Sequence, residues 1–480
     1  MHTYPLKSQR GQIFILLALS LFVLIGFAGL VIDAGRSYGV RAKLNAAVDA
    51  AAIAAARALA TGEGDAARIA AAKIAAKEFY TANFPDTYLG AALVPLNDGN
   101  INAVHDDVGK RWTVDVTGSA TMPVTLMGLL GFTDVTVSAS GATTRRDVDI
   151  VLVIDTSGSL ANPADTLTKL KQAAIGFVDQ FNAGSGGDRV AVVSFASGSV
   201  VDVGFVAPYS RGFNKTAVTT AINALTVTGG TASAEGMRLA LNQINLVPLA
   251  SRSDLRAIVF FSDGAPNAVP ATFSYLNTGN PTPQSVTGDL YSETNLTRLT
   301  TPTTCKTTLE PCRIYFSTKR DCQLPNANCS NAANYPNILT LPNLGFDITG
   351  IGGVPLASYR GNRVLDGAPI KNTRCNVNKA ARNMVENIAN TARTQGITVH
   401  AIGLGDMINS LEVVKSFCPA YDTNPAKEYG INIMKRLANT ADSDTKDALQ
   451  PIGLYVWAAN ASELAAAFSA IASDILRLTR

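Results

Sequence analysis

The feature that most constrains the fold is an uninterrupted apolar segment near the start of the chain. Residues 13–32 read IFILLALSLFVLIGFAGLVI and contain no ionisable side chain. As a helix that rises about 1.5 Å per residue, this segment spans about 30 Å, the thickness of the hydrocarbon core of a bilayer. A cleaved signal peptide is the alternative, but Asp33-Ala34-Gly35-Arg36 is a poor cleavage site. We therefore predict a retained transmembrane helix over residues 13–32.

The overall composition excludes several other classes of protein. Apolar residues make up 47% of the 480 residues, and 40 basic side chains face 37 acidic ones, for a net charge of +3. A disordered chain has lower hydrophobicity, a nucleic-acid-binding protein has a larger basic excess, and a transporter has many apolar spans. We therefore expect a folded protein with one membrane anchor and no nucleic-acid partner.

The cysteines indicate on which side of the membrane the long C-terminal part lies. They are even in number and lack the C-x2-C pairs of a zinc site, which favours disulfides in an oxidising compartment, although their pairing is left open. Six reduced thiols in the cytosol are the alternative. We predict that residues 1–12 are cytoplasmic and that the rest of the chain after the span lies outside the cytosol. The six are Cys305, Cys312, Cys322, Cys329, Cys375 and Cys418.

The segment after the span is rich in alanine and predicts close helix packing. More than half of residues 46–77 are alanine, which favours a helical stalk that continues from the membrane. Thr61-Gly62-Glu63-Gly64 breaks this stalk, and Asp65 starts a second helix that runs to about Phe79. Small side chains let this surface contact a helix of the same chain or of another chain. With strands near 112–117 and 135–139, residues 33–146 form a helical stalk and a small α+β module.

From Val148 onward, buried strands alternate with amphipathic helices. Strand-like, largely apolar runs lie at 150–154, 190–193, 257–261, 397–402 and 454–457, and helical patterns lie between them. This alternation predicts an α/β fold with a doubly wound, mostly parallel sheet, and residues 200–206 could add an antiparallel edge strand.

One stretch of this domain does not follow the pattern. Residues 265–376 hold eleven of the 21 prolines and five of the six cysteines, and they show little periodicity. We interpret them as a disulfide-stapled insertion, which either recognises a partner or is a decoration without a role of its own.

Oxygen-bearing side chains collect where three segments of this domain should meet. Asp155, Ser157 and Ser159 follow the first strand, Thr231 follows two glycines, and Asp263 follows the strand at 257–261. The carboxyl ends of parallel strands share one edge of the sheet, so these side chains should share a rim. Hydroxyl and carboxylate oxygens are ligands for Mg²⁺, Mn²⁺ or Ca²⁺, whereas ordinary helix capping by Ser and Asp is the alternative.

These residues resemble the metal-ion-dependent adhesion site of a von Willebrand factor A (vWA) domain. The resemblance covers residues 147–480 and includes all five ligand positions, namely Asp155, Ser157, Ser159, Thr231 and Asp263. It implies one bound divalent cation, Mg²⁺ in the first place and Mn²⁺ or Ca²⁺ as alternatives. It also implies a protein partner that supplies an acidic residue to the cation.

The N-terminal part is similar to a second family. Arg10-Gly11-Gln12, the run Val31 to Arg36, and Leu44 to Ala52 look like the start of TadG-like proteins of tight-adherence (Flp) pilus assembly. Such proteins frequently join this anchor to a vWA domain. The resemblance implies a single-pass protein of the bacterial inner membrane with its C-terminal domain in the periplasm or at the cell exterior, acting with pilus or secretion components.

Catalysis is not expected from this sequence. No G-x-S-x-G motif surrounds Ser157 and no phosphate-binding G-x-x-x-x-G-K-[ST] motif occurs. His400 lies in the middle of a predicted strand, where a packed core residue is favoured over a general base. The chain is therefore predicted to bind rather than to catalyse, with a surface adhesin that binds host or neighbouring-cell ligands as the alternative to a pilus-assembly component.

Overall fold

The computed structural model describes residues 10–62, 64–125, 127–196, 198–227, 229–275, 282, 284–291, 313–315, 333–334, 374–405 and 430–476. The chain divides into two compact units whose boundary lies between residues 145 and 146. We refer to the described residues before this boundary as the anchor unit and to those after it as the sheet unit. Cys375 contributes only its backbone to the description, and the other five cysteines lie outside it, so the disulfide prediction is not addressed.

The anchor unit begins with two helices. The first, α1 (Arg10–Ala58), is one uninterrupted helix of 49 residues, about 74 Å long, and α2 (Asp65–Ala82) follows the predicted break. Within residues 13–32, large side chains such as Ile13 and Phe14 are 65% and 76% exposed, and α1 is long and apolar enough to cross a bilayer. The second half of α1 packs against α2 through alanines, so the close helix contact predicted from composition is made within one chain.

A four-stranded sheet completes the anchor unit. Its core combines Leu44 and Val48 of α1, Tyr80 of α2, and Trp112 and Val114 of the sheet. Strand β3 pairs with the other three. The strands are β1 (Ala92–Val94), β2 (Ile101–Asp106), β3 (Arg111–Pro123) and β4 (Asp134–Arg146).

The sheet unit contains a six-stranded sheet in the order β14-β13-β8-β5-β6-β7. Its strand pairs are parallel except at the edge strand β7, which runs antiparallel to β6. The predicted doubly wound α/β fold and its antiparallel edge are therefore confirmed. The strands of this sheet are β5 (Val148–Asp155), β6 (Arg189–Phe195), β7 (Ser199–Val203), β8 (Leu255–Ser262), β13 (Thr398–Leu404) and β14 (Tyr455–Ala458).

Helices cover both faces of this sheet because its strands are apolar on both sides. Val151 and Val153 of β5 face one buried cluster, while Ile150 and Leu152 face the other. The first cluster is closed by α5 (Ser233–Leu246), α6 (Arg374–Thr394) and α7 (Gly430–Ala438). The second is closed by α3 (Thr166–Val178), α4 (Lys215–Asn223) and α8 (Leu464–Ile475).

The stretch 265–376 contains more regular structure than its sequence pattern indicates. Strands β9 (Ala268–Tyr275) and β10 (Gln284–Tyr291) form an antiparallel pair, joined by the short strands β11 (Arg313–Tyr315) and β12 (Ala333–Asn334). Ala268 and Val269 are buried, and Val269 belongs to the core of the sheet unit. The start of this stretch is therefore part of the domain core, and, apart from strands β9 to β12, most of the stretch lies outside the described residues.

Candidate metal-binding site

Asp155 is the last residue of the central strand β5 and is fully buried. The backbone N–H of Ser157 donates a hydrogen bond of 2.7 Å to Oδ1 of Asp155. The hydroxyl of Ser262, at the end of the neighbouring strand β8, donates to Oδ2. Strands β5 and β8 are parallel and in register, with Ile154 opposite Phe261, and this pairing brings the two strand ends together.

The two serines after β5 converge on Asp263, the residue that follows β8. Ser159 Oγ donates a hydrogen bond of 2.9 Å to Oδ1 of Asp263, and Ser157 Oγ lies 3.4 Å from the same oxygen. The two hydroxyls are themselves 3.0 Å apart. The sequence D-x-S-x-S therefore turns its alternate side chains toward one point at the edge of the sheet.

Thr231 reaches this edge from the loop that precedes α5. The loop is fastened to the first segment by a hydrogen bond of 3.1 Å from Gly158 N–H to the Gly229 carbonyl. Gly229 has a φ of +66°, a backbone conformation that favours glycine. Thr231 Oγ1 lies 3.7 Å from the position that a Cβ on Gly264 would occupy, which places this hydroxyl beside the turn that carries Asp263. All five predicted residues are thus gathered at the carboxyl edge of β5 and β8.

The two carboxylates at this edge carry negative charge that no basic side chain among the described residues balances. Asp155 is 0% exposed and Asp263 is 6% exposed. Burial raises the pKa of both carboxyls, and the charge of Asp263 raises the pKa of Asp155 further. Among the described residues, no Lys, Arg or His forms an ion pair with either carboxylate. A cation at this edge would therefore remove an unfavourable interaction that the fold itself maintains.

The donor set fits a hard divalent cation. It consists of two carboxylates and three hydroxyls, and Mg²⁺, Mn²⁺ and Ca²⁺ prefer such oxygen ligands. Within the described part of the chain, no three His, Cys, Asp or Glu side chains are grouped to hold a metal, so this site depends on its hydroxyls.

Two residues that support the site were not singled out from the sequence. Ser262 fixes Asp155 through its hydroxyl, and Asn267 accepts a hydrogen bond of 2.8 Å from the Thr231 N–H. The backbone N–H of Asn267 also donates a hydrogen bond of 3.2 Å to the Thr231 carbonyl. The only sequence signal for either residue is its proximity to Asp263, because their partners lie far away in the chain.

His400, the one histidine of the sheet unit, is a buried residue within a strand of the sheet. It is 2% exposed within β13, and its Nδ1 accepts a hydrogen bond of 3.1 Å from the Leu454 N–H. The prediction of a packed core residue is confirmed.

Two family models match this chain. Residues 149–288 match the von Willebrand factor type A domain, and residues 11–58 match the Tad model for Flp pilus-assembly TadE/G-like proteins. Both resemblances stated from the sequence are therefore confirmed, and neither model describes an enzyme. No curated protein gives a significant match.

Several solved structures are similar to the chain. The vWF domain of the type V pili tip protein Mfa5 from Porphyromonas gingivalis is 19% identical, with 68% of this chain and 95% of that chain covered and a TM-score of 0.35. A PilB minor pilin from Streptococcus sanguinis is 15% identical, with 78% of each chain covered and a TM-score of 0.31. Proximal thread matrix protein 1 from the mussel byssus, solved with a zinc-occupied MIDAS motif, is 14% identical, with 70% and 48% covered and a TM-score of 0.30.

Proposed function

We propose that this chain, which joins a TadE/G-like segment to a vWA domain, is a membrane-anchored and metal-dependent protein-binding component of Flp/Tad pilus assembly or secretion. The observation that carries the proposal is the convergence of Asp155, Ser157, Ser159, Thr231 and Asp263 from three chain segments at one sheet edge. The apolar half of α1 supports a single-pass anchor. From the match to the TadE/G-like model we propose that this anchor lies in the inner membrane, with the sheet unit in the periplasm or at the cell exterior.

The residues of this edge would have different roles in binding the cation. The hydroxyls of Ser157, Ser159 and Thr231 would be direct ligands, and Asp155 and Asp263 would hold the cation directly or through water. Ser262 and Asn267 keep Asp155 and Thr231 in place through the hydrogen bonds described above. A bound Mg²⁺ supplies a coordination position to an acidic side chain of the partner, which we propose is a pilus or secretion component.

The experiment compares two isosteric changes that each remove one threonine hydroxyl. Thr231→Val removes a proposed ligand, whereas Thr156→Val removes a hydroxyl that instead donates 3.0 Å to the Phe195 carbonyl. Both variants and the parent chain are purified from membranes with and without chelator, and co-purified proteins and pilus formation are scored. We expect chelation and Thr231→Val to abolish partner recovery, and Thr156→Val to retain it.

The alternatives give different results. If chelation and Thr231→Val both leave partner recovery and pilus formation unchanged, the metal-dependent contact is wrong. Two results together would favour the adhesin alternative over the assembly role. The chain would bind host or neighbouring cells in a Mg²⁺-dependent way, and pili would form normally in cells that lack the chain. Mg²⁺-dependent thermal stabilisation of the purified parent, absent in Thr231→Val, separates loss of the cation from loss of the partner.

A further inference from the structure

The loop between β3 and β4 has an unusual composition for a turn between two strands. Residues 124–133 read VTLMGLLGFT and contain no charged side chain. Loops between strands are ordinarily polar, since they face water. Phe132 is 54% exposed, and Met127 to Leu130 form a short 3-10 turn. We call residues 127–132 the apolar tip.

Asp33 fastens this loop to α1 at the end of the apolar segment. The Asp33 side chain is 1% exposed and directly follows Ile32, the last residue of that segment. It accepts hydrogen bonds of 2.9 Å from the Thr125 N–H and 3.1 Å from the Met127 N–H. A buried carboxylate is thus used to hold the loop against this particular turn of the helix.

Arg36, one turn further along α1, strengthens the attachment. It donates to the Leu89 carbonyl at 2.8 Å and to the Pro123 carbonyl at 3.4 Å, and it also contacts the Thr125 hydroxyl. Gly39 allows Leu89 to approach closely, since a Cβ there would lie 2.9 Å from Leu89 Cδ1. Polar groups of this helix face therefore hold the backbone of both loops.

The attachment extends into the apolar segment itself. Gly29 lies one turn before Asp33 on the same helix face, and it is buried although it belongs to residues 13–32. The 3-10 turn of the tip packs against α1. The tip is therefore placed at the depth where α1 leaves the hydrocarbon, if residues 13–32 span the bilayer.

We propose that the apolar tip is a second membrane contact, which inserts into the interface of the bilayer from which α1 emerges. Its occupant is the lipid surface, because the tip is continuous with the spanning segment and exposes Phe132, an apolar side chain of the kind that interfacial segments bury at the boundary between headgroups and acyl chains. The inference rests on the membrane anchor of the proposed function. Two contacts, one spanning and one interfacial, restrict the tilt of the anchor unit relative to the membrane.

The test uses tryptophan as a depth probe in the full chain reconstituted into phosphatidylcholine vesicles that contain dibrominated acyl chains. Phe132→Trp places the probe on the tip. Val108→Trp places it in the β2–β3 turn, where Val108 is 92% exposed at the other end of β3, about 40 Å away along the strand. The native residues Trp112 and Trp457 are common to all samples, so each variant is compared with the parent chain.

We expect brominated lipid to quench the emission added by Phe132→Trp and to leave that added by Val108→Trp unchanged. Flotation of the same vesicles reports whether the chain is anchored at all. Flotation without selective quenching of Phe132→Trp overturns the tip contact and leaves the anchor standing. Failure of the parent to float overturns the anchor, and the tip contact with it.

Discussion

At the scale of single residues, the two buried carboxylates of the candidate site favour binding at the cost of stability. Asp155 and Asp263 are both shielded from water, and the charge of one raises the pKa of the other. A pair of this kind destabilises the fold when no cation is present, and a bound cation reverses the effect. Such strained polar groups occur at functional sites more often than in ordinary cores.

The change Asp263→Asn should therefore separate stability from binding. The amide oxygen still accepts the hydrogen bond from Ser159, while the second negative charge is gone. In chelator we expect the free energy of unfolding to rise by about 1 kcal/mol, which corresponds to a rise of about 2–4 °C in melting temperature for a domain of this size. Added Mg²⁺ should no longer raise that temperature. Thermal unfolding with and without Mg²⁺ provides both measurements.

The control for this change is Asp179→Asn at a surface ion pair. Asp179 is 53% exposed and lies 3.3 Å from Lys215. Exposed pairs contribute little, so this variant should stay within about 0.5 kcal/mol of the parent and keep the Mg²⁺ response. A lower melting temperature of Asp263→Asn in chelator would contradict the account of charge repulsion.

His400 gives a pH dependence with a definite sign. Burial lowers its pKa to about 4, although Asp474, 3.8 Å away on α8, acts in the opposite direction. The unfolded chain binds a proton near pH 6.5 and the folded chain does not, so stability is complete above pH 6.5 and falls as the pH drops toward 4. Between these two pH values the free energy of unfolding falls by about 3 kcal/mol in total.

The variant His400→Asn tests this slope. The Asn oxygen can take the place of Nδ1 as acceptor for the Leu454 N–H, but it does not titrate. Denaturant unfolding at several pH values should show a shallower acid loss than in the parent. If the free energy of unfolding falls equally steeply with decreasing pH in the two chains, other titrating groups control stability in this pH range.

At the scale of elements, the position of α5 controls that of Thr231. Gly236 in the first turns of α5 faces the ring of Phe195 at the end of β6, and a Cβ there would lie 2.8 Å from Cδ1. Phe195 cannot easily move, since it stacks on Phe260 at 5.4 Å between ring centroids. The close approach of this helix to the sheet therefore depends on the absence of a side chain.

We expect Gly236→Ala to displace the start of α5 and to weaken the Mg²⁺-dependent rise in melting temperature, with a loss of about 1–3 kcal/mol of stability from overpacking. The matched control is Gly176→Ala in α3, where a Cβ meets nothing within 4 Å. That change should stabilise the protein by up to about 1 kcal/mol and keep the Mg²⁺ response. An unaltered Mg²⁺ response in Gly236→Ala would show that Thr231 is positioned by the loop alone.

The sequence predicts those elements whose apolar pattern is continuous or alternates clearly, and it misses those whose pattern is interrupted or depends on a hairpin. Residues 150–154 are all buried in β5, so an apolar run was visible. In β2, only Ile101 and Ala103 are buried, and the exposed apolar Val104 and the polar His105 obscure the alternation. The pair β9 and β10 carries Thr, Ser and Pro, and it is stabilised by backbone pairing that composition does not reveal.

The same distinction applies to the candidate site. Asp155 and Asp263 could be placed together because parallel strands end at one edge. The roles of Ser262 and Asn267 depend on partners 107 and 36 residues away, and no local spacing encodes such a hydrogen bond. The convergence of the candidate residues could therefore be predicted, whereas the residues that hold them in place could not.

At the scale of the whole molecule, each unit has a core of its own. The anchor unit buries Trp112 and Tyr80 against α1, and the sheet unit buries two layers on the faces of its sheet. Units with separate cores can unfold in separate transitions. We therefore expect two calorimetric transitions in the full chain, of which Mg²⁺ raises one.

Two substitutions assign these transitions. Gly118→Ala places a Cβ 2.5 Å from the ring of Tyr80, whose hydroxyl donates 3.1 Å to the Ser119 carbonyl, so it should lower the transition of the anchor unit alone. Thr231→Val should abolish the Mg²⁺ shift of the other transition and leave that of the anchor unit in place. A single transition that responds to both substitutions and to Mg²⁺ would mean that the two cores unfold as one, and metal binding at the sheet edge would then stabilise the anchor as well.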